Sequence, residues 1–118
     1  MKKLLWLMEA GGYGQPAALL HGSTCELKLE TSTRRAMALM KSWQPDILVA
    51  DFYKRYFHDR VSNLESMLAV ASRNPSMRIV VIHDPFHAAD VALLGQRHRI
   101  DVLLPLPVSA TALAAALG

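Results

Sequence analysis

Glu9, Asp51, His83, Asp84 and His87 are the residues whose types and positions could do chemistry together. Glu9 closes one short apolar run, Leu4 to Met8, and Asp51 closes another, Ile47 to Ala50, in the setting "PDILVADF". His83, Asp84 and His87 follow a third run, Ile79 to Ile82, as "HDPFH". Carboxylate oxygens and imidazole nitrogens are the donors that bind divalent cations, with hard ions preferring the oxygens and transition metals accepting both. Such chemistry requires that segments far apart in sequence be brought to one place.

The elements that would do so can be read from periodicity. Lys3 to Met8, Ile47 to Ala50, Ile79 to Ile82 and Val102 to Leu104 are continuous apolar runs, the form expected of central parallel strands covered on both faces. Cys25 to Glu30 alternates instead, as a half-exposed edge strand does. Helical patterns lie between. Ser32 or Thr33 can cap a helix carrying Ala36, Leu39, Met40 and Trp43 up to Pro45. Ser62-Asn63-Leu64-Glu65 fits a capping box ahead of Leu64, Met67, Leu68 and Ala71. Ala88, Val91 and Leu94 mark a fourth helix, and Ser109 caps a last one with Ala110, Leu113 and Leu117 facing inward. The first helix, within Pro16 to His21, is short and weakly signalled.

Strand and helix thus alternate five times. The expected fold is a single three-layer α/β/α domain of flavodoxin-like type, with a five-stranded parallel sheet in the order 2-1-3-4-5. In such a sheet the ligand site lies beyond the carboxyl ends of the strands, beside the switch point between strands one and three. That rule predicts that Glu9 and Asp51 are neighbours, with His83 and Asp84 close by.

Composition narrows the function classes. The 118 residues suit one domain, and 52% hydrophobic with 19% charged residues is a folded composition. One cysteine, Cys25, excludes an intrachain disulfide and agrees with a reducing, cytoplasmic setting. No segment has the uninterrupted apolar length of a membrane span, and the Leu4 to Met8 run is too short for a signal peptide. A net charge of +3 is too small to indicate nucleic acid by itself.

Three further signals carry less. "MEAGGYGQP" follows a strand as a phosphate-cradling loop would, but lacks the G-x-G-x-x-G spacing and the Walker lysine, so its glycines are read as serving a tight turn. "FYKRYFHDR" interleaves aromatics with Lys54, Arg55 and Arg60, yet one loop is too little surface for a nucleic acid. The last segment, Val102 to Leu117, carries no charge, and its Ala-rich helix is suited to close packing on a sheet or on another chain.

In its element order, its "PDILVADF" strand and its "VLLPLPVSATALAAAL" end, the chain resembles the CheY-like receiver domain of two-component response regulators over essentially its whole length, 1–118. The resemblance implies that Asp51 stands at the position that accepts a phosphoryl group from a histidine kinase. Of the two acids that hold Mg²⁺ after strand one, only Glu9 is matched, Met8 standing in the other place, so Glu9 with Asp51 would bind Mg²⁺ weakly. His83 occupies the place of a Ser or Thr that contacts the phosphoryl group, and Leu103 that of the aromatic switch residue. Leu106-Pro107 replaces Lys-Pro, a bond that is generally cis in the family.

Phosphoryl transfer depends on a metal and a cation to neutralise charge, and leucine cannot do this. The expectation is therefore an atypical receiver domain in signal transduction, not an enzyme, with an impaired phosphorylation centre. It would act through protein contacts, including a homodimer formed by the fourth and fifth helices with the fifth strand, and could form the N-terminal part of a longer regulator. The alternative expectation is a small-molecule or metal-binding domain using Glu9, Asp51, His83 and Asp84.

Overall fold

A computed structural model describes residues 1–20, 24–54 and 62–118. Arg55, Tyr56, Phe57 and Arg60 of the aromatic-basic stretch, and His21, lie outside the described residues. The strands are β1 (Lys2–Leu7), β2 (Cys25–Glu30), β3 (Ile47–Asp51), β4 (Arg78–His83) and β5 (Val102–Pro105). They pair in parallel throughout, in the order β2-β1-β3-β4-β5. The helices are α1 (Pro16–Leu19), α2 (Thr33–Ser42), α3 (Glu65–Ala71), α4 (Ala88–Arg97) and α5 (Ala110–Leu117), with a 3-10 turn over Pro85–His87 before α4.

Side-chain alternation divides the core between the two faces of the sheet. Leu5, Leu7, Leu48, Ala50, Ile79 and Val81 pack against α2, α3 and α4, where Met40, Met67, Leu68, Val91 and Leu94 are buried. Leu4, Trp6, Ile47, Val49, Val80 and Ile82 face the other way, toward Leu113, Ala116 and Leu117 of α5. The uninterrupted apolar runs of β1, β3 and β4 are thereby explained, because those strands are covered on both sides.

Three local expectations are corrected. β5 is an edge strand and not a central one, and Leu103 is 42% exposed. In α5, Leu113 and Leu117 are buried but Ala110 faces solvent. The capping box at Ser62 does not form: α3 begins at Glu65 after Leu64 without a side-chain cap, Ser62 Oγ accepting from Leu64 N instead and Glu65 pairing with Arg97 and His98. Helix α1 is short, as expected, and spans Pro16–Leu19. The Ser32 and Ser109 caps do form, each hydroxyl accepting from the backbone N–H three residues on.

Candidate functional site at the carboxyl edge

Register places the ends of the inner strands level. Leu7 of β1 pairs with Ala50 of β3, and Asp51 pairs with Ile82 of β4. The chain leaving β1 therefore passes directly over the Asp51 side chain, the convergence that strand order predicts. The loop from Glu9 to Gly14 turns through positive φ at Gly11 (67°) and Gly12 (78°), conformations that need glycine.

That turn aims three successive N–H groups at one carboxylate. Asp51 Oδ1 accepts from Glu9 N at 2.9 Å, and Oδ2 accepts from Ala10 N and Gly11 N, both at 3.1 Å. Tyr13 Oη donates to Oδ2 at 3.0 Å and itself accepts from Trp6 Nε1 at 3.0 Å. The glycine loop does cradle an anion, and the anion is the protein's own carboxylate. Asp51 is 2% exposed, a burial that four converging donors make tolerable. Burial pushes the Tyr13 hydroxyl well above the ordinary phenol range; donation from Trp6 lowers it, while the charge and hydrogen bond of Asp51 raise it further. Tyr13 thus stays a donor.

Glu9 reaches Asp51 through its backbone only. Its Oε1 accepts from Thr33 Oγ1 at 2.6 Å and from Asn63 Nδ2 at 2.9 Å. Asn63 is the hub here: Nδ2 also donates to the Asp51 carbonyl at 2.9 Å, and Oδ1 accepts from Tyr53 N at 2.9 Å. One side chain ties the ends of β1 and β3 to the start of α3. Neither Tyr13 nor Asn63 was singled out in the sequence for this role; Tyr13 stood in the glycine loop and Asn63 in the stretch read as a capping box.

At the Mg²⁺ position expected from Glu9 and Asp51, both carboxylates accept hydrogen bonds from the protein itself. Asp51 Oδ2 accepts three of its four donors and Oδ1 one, which leaves a lone pair on Oδ1. Glu9 turns its carboxylate to Thr33 and Asn63, and among the described residues no three His, Cys, Asp or Glu are grouped to hold a metal ion.

The remaining predicted positions surround this centre. His83 is 7% exposed at the end of β4, with Nδ1 at 2.9 Å from the Asp84 carbonyl. Leu106 packs against the α5-side core, and the Leu106–Pro107 bond is cis, as the resemblance implied. Lys54 points away from Asp51, its ammonium 3.6 Å from Asp90 on α4. Leu103 lies on the outer edge of the sheet, apart from the centre.

No family model matches the sequence, and no curated protein matches it. Solved structures do. A response regulator receiver domain protein from Clostridium thermocellum is 17% identical with a TM-score of 0.75, covering 99% of this chain and 91% of its own. A CheY-like receiver domain protein from Methanospirillum hungatei is 11% identical at TM-score 0.79, covering 99% and 90%. The Vibrio cholerae chemotaxis protein CheY4 is 16% identical at TM-score 0.78, covering 99% and 96%. This chain has the fold of the CheY-like receiver domains of response regulators.

Proposed function

We propose that this protein is a signal-transduction module of receiver type, acting through protein contacts and without phosphorylation of Asp51 as its switch. The observation that carries this reading is the filled carboxylate. An acceptor must present a free oxygen to the incoming phosphorus, with a cation at hand for the charge that develops. Asp51 Oδ2 is instead taken by Ala10 N, Gly11 N and Tyr13 Oη, and Oδ1 by Glu9 N. Leu106 stands where a lysine would serve, and Lys54 is turned to Asp90. The module is non-enzymatic and resides in the cytoplasm, where an output domain or a signalling partner reads its surface.

Contact through α4, β5 and α5 is supported by what those elements expose. Leu93 is 51% and Leu103 42% exposed, and the outward positions of α5 are small and uncharged. A homodimer through this surface is the form of contact proposed. The test of the phosphorylation claim is beryllofluoride with Mg²⁺, added to isotope-labelled protein. Backbone amide resonances from Glu9 to Tyr13 and at Asp51 stay in place if the reading holds; saturable movement of those signals refutes it.

A further inference from the structure

Beside the filled carboxylate, a cleft of about 260 Å³ opens at the carboxyl ends of β3 and β4, bordered by Tyr13, Phe52, Tyr53, His83, Asp84 and His87. We propose that this cleft binds a small organic ammonium compound carrying an aromatic ring. The inference goes beyond the signalling role and does not depend on it.

His83 carries the argument. It is 7% exposed, and its Nδ1 sits 2.9 Å from a backbone carbonyl, which can only accept; Nδ1 therefore bears the hydrogen. In the neutral ring this leaves Nε2 with a lone pair, without a hydrogen-bond partner among the described residues, on a side chain that lines the cleft. His87 differs: its Nδ1 is buried, 3.5 Å from Asp90 Oδ2, and offers the cleft no acceptor. Asp84 stands exposed at the rim, its Oδ1 taken by Phe86 N and Oδ2 open.

His83 Nε2 and Asp84 Oδ2 thus accept, and what they lack is a donor. Lys54 is the cation among the described lining residues, and its ammonium is directed to Asp90. The Asp51 carboxylate behind the cleft and Asp84 at its mouth bias the potential toward cations. The walls are aromatic: the rings of Phe52 and His87 are 5.3 Å apart, and Tyr13 and Tyr53 border the same space. Aromatic faces with carboxylate and lone-pair acceptors are what attract an ammonium group.

Phenethylammonium and phenylacetate are nearly isosteric and differ in charge. Titrated into the intact, isotope-labelled chain at pH about 8, the amine is expected to give saturable shifts at the amides of Tyr53, His83, Asp84 and His87, and the acid none. His83→Phe keeps the ring and removes the lone pair, and should weaken the amine roughly tenfold. The proposal is overturned if the amine gives no saturable shift, if the acid binds as well, or if folded His83→Phe protein binds the amine unchanged. Should that variant not fold, the amine-against-acid comparison on the unaltered chain decides alone. A beryllofluoride response would refute the reading of Asp51 and leave this comparison untouched.

Discussion

At the residue scale, Asp51 works as an anchor. Its four donors belong to one loop, so removing the carboxylate strands all of them together. Asp51→Ala is expected to lower unfolding free energy by about 3 kcal/mol in urea denaturation, at the upper end for unsatisfied buried groups. Tyr13→Phe leaves Trp6 Nε1 without its acceptor and Asp51 one donor short, and should cost about 1–2 kcal/mol by the same measurement. The position of Asp51 beside Glu9 was legible from strand order, because register makes it a consequence of topology. The identity of its partners was not. Which N–H groups a loop turns inward depends on φ values at Gly11 and Gly12, and a tyrosine six residues past β1 gives no pattern that periodicity can detect.

At the element scale, the strands and four of the helices followed from periodicity and capping residues, whereas contacts between helices did not. Glu65 heads α3 as a capping-box acid would, yet its carboxylate pairs with Arg97 and His98 at the end of α4. Asn63, its neighbour, is drawn off by Glu9 and the Asp51 carbonyl. Tertiary partners thus outcompeted a local cap, and those of Glu65 lie more than thirty residues away in sequence. Burial pushes the Glu65 carboxyl up, but hydrogen bonds and charge from Arg97 and His98 outweigh it and hold it below the usual range. A carboxyl depressed by folding adds stability above its unfolded value near 4.5, and loses that contribution as pH falls through the lower folded value. Glu65→Gln should therefore shallow the acid limb of a stability–pH profile measured by thermal unfolding below about pH 5. At neutral pH its effect should stay near half a kcal/mol, as suits a partly solvated pair. Ser109→Ala, which deletes the cap of α5, should cost about 1 kcal/mol.

At the scale of the whole molecule, the two faces of the sheet are unequally covered. Three helices close one side, while the other relies on α5 and the single turn of α1, so Leu19, Leu20, Cys25 and Leu27 remain only partly buried. The fold class was legible because five apolar runs separated by helical segments admit few topologies. The shortness of α1 was legible in its weak signal. None of the described helices is long and apolar enough to cross a membrane. The exposed leucines of α4 and β5 place the predicted contact on one outer edge, and Leu103→Glu should shift sedimentation toward monomer without altering the melting temperature by more than about 2 °C.

The central claim is that the Asp51 carboxylate is held by the loop leaving β1, and amide hydrogen exchange tests it most directly. The account predicts that Ala10 and Gly11 exchange slowly in the wild-type chain and lose that protection in Asp51→Ala, while the amides of β1 and β3 keep theirs. Fast exchange at both loop amides in the wild type, or protection that survives the substitution, would contradict it.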